Sequence, residues 1–222
     1  MASFGKETAE KVVAEHGHAN LTAANNVLAH VPDINDFVSG FATVLADDGV
    51  STFEFPHLLN LLEKTQFDTI YHEHFSYLSL YAVEKCFESN GLKVFDVEEI
   101  PTHGGSLRVW AQKTIGIRPE TDRLSALRAK EADAGIATGE CDEGFDAKCR
   151  KIRDDLLAFL KSAKTEGKTV AGYGAAAKGN TLLNYCDIGT DLIDFVVDAN
   201  PHKQNTLLPG SHIPVHAPDR LK

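Results

Sequence analysis

The sequence predicts an α/β fold, on three observations. Strand and helix patterns alternate over residues 8–109, a helical apolar period runs through residues 119–166, and a glycine-rich turn joins a short strand to a helix near residue 172. The alternation implies a largely parallel first sheet. The late strand–turn–helix implies a second, smaller unit of the same class.

Each element has a local reason. Ala9, Val12 and Val13 recur at helical spacing and Gly17 closes that helix. Residues 19–24 read as a buried strand that ends at Asn25-Asn26. Asp33 can cap a helix whose apolar face is Phe37, Val38, Phe41, Val44 and Leu45, with Asp48-Gly49 ending it. Residues 50–55 form the next strand. A helix over residues 80–90 presents Val83, Cys86 and Phe87 and stops at Gly91. Strands at 93–97 and 106–112 complete the first sheet.

The middle stretch is helical. Leu124 and Leu127 share a face to which Ala134 returns, and Ile152, Leu156, Leu157, Phe159 and Leu160 recur after the glycine-containing residues 135–144. The charged residues between them read as a solvated face, so this stretch is expected to connect and buttress. Residues 169–171 then form a strand that runs into Gly172-Tyr173-Gly174-Ala175-Ala176-Ala177-Lys178-Gly179. A helix follows through Leu182, Leu183 and Tyr185, and a strand over 192–197 ends at Asp198.

Composition narrows the function. The chain has 222 residues, 43% of them hydrophobic, enough for a sizeable core. A formal net charge of -10 argues against nucleic-acid and membrane-surface partners. No apolar run approaches transmembrane length, and the N-terminal residues show no signal-peptide core. Four cysteines without a CxxC pair fit reduced thiols in a cytoplasmic protein, and the histidines outside the motifs below show no metal-ligand spacing, so no metal is assigned.

Two runs carry chemistry. Tyr71-His72-Glu73-His74 packs a phenol, a carboxylate and two imidazoles into four positions, the equipment for moving a proton near neutral pH. If the run is helical, Tyr71 and His74 share a face and Glu73 turns away; in an irregular loop all three can converge. His103-Gly104-Gly105-Ser106-Leu107-Arg108 sets a glycine pair beside a histidine, a hydroxyl and an arginine, so backbone and cation can both approach an anion. The bland alternatives are a surface His103–Arg108 pair, a structural His72, a Tyr77 packed under the loop, and a His30 that satisfies a backbone carbonyl. The turn with Gly172, Gly174 and Ala177 imitates a dinucleotide fingerprint, with Asp198 at a suitable distance for a ribose and Lys178 for a phosphate. The alternative is a tight βα turn that needs small residues.

At this point the chain resembles the sugar C-methyltransferases that act on nucleotide-linked 4-keto sugars with S-adenosylmethionine. The carrying segments are Ala24-Asn25-Asn26-Val27-Leu28-Ala29-His30-Val31-Pro32-Asp33, Tyr71-His72-Glu73-His74-Phe75-Ser76-Tyr77, the His103–Arg108 run, Gly172 to Asn180, and Asp198-Ala199-Asn200-Pro201-His202-Lys203-Gln204 with Leu208-Pro209-Gly210. The resemblance implies a partial class I methyltransferase (Rossmann-like) domain over 1–115, a helical connector over 116–166 and a smaller Rossmann-like α/β domain over 167–222. It also implies a chain without the family's cysteine-rich zinc module and glycine-rich cofactor turn, a fragment of about half a full-length member.

What the resemblance implies chemically is methylation of a carbon alpha to a ketone. His74 is then the base, with Tyr71, Glu73 and His30 lining the same pocket. Asn25, Asn26 and Val27 are expected to face the adenosyl group of S-adenosylmethionine. His103, Gly104, Gly105, Arg108, Gly172, Gly174 and Lys178 are expected to meet a TDP-linked keto sugar. Two competing readings use the Gly172 turn without that chemistry: a nucleotide-sugar-binding fragment and an NAD-dependent oxidoreductase.

Overall fold

The computed structural model describes residues 4–222, so the first three residues of the N-terminal stretch judged to lack a signal-peptide core lie outside the described residues. The chain divides into two compact units, one of residues 1–64 and 73–143, the other of residues 65–72 and 144–222.

The first unit holds a four-stranded sheet in the order β1-β2-β4-β3, from Ala19–Asn25, Leu45–Pro56, Leu92–Ile100 and Ser106–Lys113 in chain order. β1 and β2 are parallel, whereas β4 runs antiparallel to both β2 and β3. The sheet is therefore mixed rather than largely parallel. Only residues 101–105 join β3 to β4, and a parallel crossover needs a dozen residues or more.

Helices α1 (Lys6–His16), α2 (Ile34–Val44), α3 (Leu58–Glu63), α4 (Leu80–Ser89) and α5 (Asp122–Asp133) belong to this unit. Asp33 caps α2 by accepting the Asp36 N–H at 3.0 Å, and Ser79 caps α4 by accepting the Ala82 N–H at 3.1 Å. Leu28, Phe37, Phe41, Phe53, Phe55 and Phe87 lie in the core, which Leu124 and Leu127 of α5 complete.

Two expectations change here. α2 ends at Val44, because Leu45 turns extended and pairs with Ala19, so Asp47, Asp48 and Gly49 lie inside β2. β1 is not a buried strand: Ala24 alone of its residues is buried and Leu21 is 68% exposed. β1 pairs with β2 alone in this sheet, and an edge strand packs fewer of its side chains.

The second unit carries a parallel three-stranded sheet, β5 (Ala171–Tyr173), β6 (Phe195–Val197) and β7 (Val215–His216), in that order. Helices α6 (Phe145–Thr165) and α7 (Ala177–Tyr185) complete it, over a core that includes Leu160, Leu183, Ile188, Val196, Ile213 and Val215. Of the α6 residues read as one apolar face, Leu160 is buried while Phe159 is exposed.

Candidate active site

Three segments of the first unit meet at the end of β1. Asn25 pairs with Glu54 of β2. Asn26 follows in the left-handed region (φ 53°), where asparagine is tolerated better than most residues, and donates its N–H to Glu54 O at 2.9 Å. Its Nδ2 lies 2.9 Å from His103 Nε2, while its Oδ1 is buried with no hydrogen-bond partner. Because an amide nitrogen only donates, His103 Nε2 is the acceptor and Nδ1 carries the ring hydrogen. Val27 leads into a single 3-10 turn, Leu28–His30.

That turn grips the loop before α4. Ala29 O accepts the Phe75 N–H at 2.8 Å and the Ser76 N–H at 3.3 Å. Residues 71–74 form an irregular turn, not a helix, which resolves the two alternatives in favour of a loop. Tyr71 and His72 belong to the second compact unit; Glu73 and His74 belong to the first. His30 Nδ1 lies 2.9 Å from Glu73 O. A carbonyl can only accept, so Nδ1 carries the hydrogen and Nε2 of neutral His30 is left as the basic nitrogen. The His30 and His74 rings are 4.7 Å apart between centroids, and Tyr77 stands edge-on to His74 at 5.9 Å. The backbone-satisfying role of His30 and its place beside His74 therefore coexist.

The glycine pair closes the third side. His103 (φ 53°), Gly104 (φ 90°) and Gly105 (φ 125°) are all left-handed, a run for which two glycines are the economical solution. Arg108 sits on β4 between Glu54 and Glu98, its cross-strand neighbours, with guanidinium nitrogens 3.1 and 3.6 Å from their carboxylates. Thr102 Oγ1 donates to the other Glu54 oxygen at 3.2 Å. His103 and Arg108 thus have separate partners and do not form the surface pair.

Sequence reasoning missed a buried polar chain behind this turn. Asn60 Nδ2 is 3.2 Å from His57 Nδ1, His57 Nε2 is 2.8 Å from Glu131 Oε1, and Glu131 accepts the Leu80 and Tyr81 N–H groups at 2.6 and 2.8 Å. Glu131 is only 2% exposed, unlike the solvated charges expected of a helix face. The signal was present: Leu124, Leu127 and Glu131 fall at i, i+3 and i+7, which puts a carboxylate on the core stripe of α5.

In the second unit, Gly172 lies on β5, where a Cβ would come within 2.9 Å of Val196 Cγ2. Gly174 follows at φ 95° and donates its N–H to Val197 O at 2.7 Å. Asp198 Oδ2 accepts the Ala175 N–H at 2.7 Å and Oδ1 accepts the Asn200 N–H at 2.8 Å. These two backbone donors, with Lys203 nearby, hold the Asp198 carboxyl below the usual carboxylate range. The residue read as reaching for a ribose thus folds back onto its own turn. Lys203 Nζ adds a bond to Ala175 O at 2.7 Å, and Lys178 stands on the first turn of α7.

Among the described residues no group of three or more histidine, cysteine or acidic side chains could hold a metal, and no helix is long and apolar enough to cross a membrane.

Known proteins match both ends of this arrangement. Residues 101–222, more than half of the chain, match the family described as the C-methyltransferase C-terminal domain, and residues 2–97 match a methyltransferase domain family. The C-methyltransferase NovU of Streptomyces niveus is 38% identical over 219 residues, 99% of this chain but 52% of the relative, so the chain spans about half the length of the relative it matches. Among solved structures, magnesium protoporphyrin IX methyltransferase from Synechocystis PCC 6803 gives a TM-score of 0.35 at 16% identity, covering 44% of this chain and 46% of the other. A methyltransferase from Anabaena variabilis gives 0.37 at 15% identity, covering 51% and 56%. The end of β1, the histidine loop, the glycine pair and the late α/β unit thus all lie in matched sequence, and the chain belongs to the C-methyltransferase family.

Proposed function

We propose that this chain supplies the proton-transfer part of an enzyme that moves a methyl group from S-adenosylmethionine to a carbon alpha to the ketone of a nucleotide-linked sugar. The observation that carries the reading is the His30–His74 pair. Two imidazoles lie 4.7 Å apart in a loop–turn clasp, and one is held in a defined tautomer by Glu73 O. A carbon acid beside a ketone needs a base that works near neutral pH and a donor for the developing enolate oxygen.

His74 is the proposed base. His30 holds the loop through its Nδ1 bond to Glu73 O, which leaves Nε2 as its basic nitrogen, and Glu73 and Tyr71 are proposed to serve the same proton transfer. Bound S-adenosylmethionine would supply the electrophilic methyl group. Residues at the end of β1 fit such a cofactor, because the buried Asn26 Oδ1 lacks a partner and would accept from an amino group. Asn25 and Val27 flank it.

His103, Gly104, Gly105 and Arg108 in the first unit are proposed as nucleotide-sugar contacts, and Gly172, Gly174 and Lys178 in the second are proposed, as a separate element, to bind the same class of ligand. The TDP-linked class is favoured by the family resemblance. By the same reading residues 1–115 act as the C-terminal part of the methyltransferase domain, 116–166 as connector and 167–222 as the second Rossmann-like domain. The test is to incubate the protein with a TDP-4-keto sugar in deuterated buffer and follow the sugar's α-hydrogen by NMR. Enzyme-dependent exchange supports the reading; exchange no faster than the buffer's own overturns it.

A further inference from the structure

We propose that Glu131, His57 and Asn60 form a positioning relay that holds the Gly104–Gly105 turn and the start of α4, just beyond the His74 loop, in one register. Its catalytic meaning rests on the reading above, but its geometry does not.

The relay joins segments far apart in sequence. Glu131, on α5, accepts three hydrogen bonds: the Leu80 and Tyr81 N–H groups that open α4, and His57 Nε2. Asn60 Nδ2 can only donate to His57 Nδ1, so Nε2 is the nitrogen that carries a hydrogen toward Glu131. The backbone of His57 works in parallel. Its N–H donates to Gly105 O at 3.1 Å, and the Leu58 N–H donates to Leu78 O at 2.9 Å. Asn60 stands directly behind the glycine turn, since a Cβ on Gly105 would lie 2.8 Å from its Cγ and Nδ2. Just past the end of the same helix, Lys64 Nζ reaches Gly104 O at 2.8 Å.

This chain does more than cap a helix. Ser79 already supplies a local cap to α4 through the Ala82 N–H. A carboxylate 2% exposed is costly unless its oxygens are filled, and an apolar side chain would have completed the α5 stripe without that cost. What the polar solution adds is directionality: each bond fixes a distance and an angle between the glycine turn and the start of α4. Groups that must meet one reacting carbon need that precision, because a misplacement of about 1 Å can cost about a hundredfold in rate.

The test is reciprocal. Amide hydrogen exchange is measured by NMR on the wild type, Glu131→Gln and Asn60→Ala. Glu131→Gln should speed exchange by about tenfold at Gly105, which Glu131 does not touch, as well as at His57, whose side chain it holds. Asn60→Ala should do the same at Leu80 and Tyr81. Amides of the β2–β4 ladder, away from the relay, should keep their wild-type rates. If each variant affects only its own neighbours, the segments are not coupled and the proposal fails. It fails equally if all amides accelerate together, since the residues are then merely structural. Should Glu131→Gln not fold, Asn60→Ala carries the same two outcomes. In methyl transfer to a TDP-4-keto sugar, both variants should lose about ten- to a hundredfold in kcat with KM changed by less than about twofold. A wild type without turnover would refute the methyl-transfer reading, while the relay would stand or fall on the exchange data.

Discussion

Asn26 and His103, 77 residues apart, join the end of β1 to the glycine turn through a 2.9 Å side-chain contact, and both adopt φ 53°. Two left-handed non-glycine residues in one hydrogen bond make this junction sensitive to small substitutions. Asn26→Ala should cost about 1–2 kcal/mol, from the loss of the bond and the poorer fit of alanine to a left-handed backbone. Asn26→Gly should cost less, because it removes the second of these terms. Urea unfolding of the two variants checks the order; an alanine variant as stable as the glycine variant contradicts the backbone argument.

His74→Asn keeps approximate size but removes the basic nitrogen. Exchange of the sugar α-hydrogen with solvent should fall by about two to four orders of magnitude. His30→Asn, which loses the Nδ1–H bond to Glu73 O, should slow exchange less and loosen the 73–76 loop. If exchange instead vanishes in His30→Asn and survives in His74→Asn, then His30 Nε2 is the base and the roles reverse.

Gly105→Ala meets two obstacles at once. The backbone at φ 125° lies where a Cβ is strained, and that Cβ would sit 2.8 Å from the buried Asn60 amide. We expect a loss of at least about 2 kcal/mol in stability, in the range of strained or overpacked buried positions. Gly139→Ala, also at positive φ (84°) but with open space around the new methyl group, should cost less. Thermal unfolding of the pair separates steric crowding from backbone strain.

The Asp198 carboxyl titrates below the ordinary aspartate value of about 3.9, because the Asn200 and Ala175 N–H groups bind its ionised form. A depressed folded-state pKa stabilises above the unfolded value and loses that contribution as pH falls through the folded value. The Ala175 and Asn200 amide resonances should therefore hold steady from neutral pH down to about 4 and shift together below it. A shift centred above about 4 would show that the two bonds do not favour the carboxylate. The same carboxylate competes for the turn's donor, so Asp198→Asn should enlarge the response of the Ala175 amide to added TDP.

By itself the sequence determined the local structure and the chemistry-bearing runs. Asp33 and Gly17 mark helix ends through their own side-chain and backbone chemistry, and the Phe37–Phe41 stripe declares its buried face. The histidine run and the glycine pair are likewise readable, because those residue types have few other uses at that density. Tertiary structure decided what depends on partners distant in the chain. The reversal of β4 follows from a connection too short to cross over, and the exposure of β1 follows from its place at the sheet edge. Whether Glu131 was a solvated charge or the centre of a buried chain could not come from α5 alone, since its donors, His57, Leu80 and Tyr81, lie 74, 51 and 50 residues away. A charge is assigned to solvent or core by the groups that meet it, and folding is what brings those groups together.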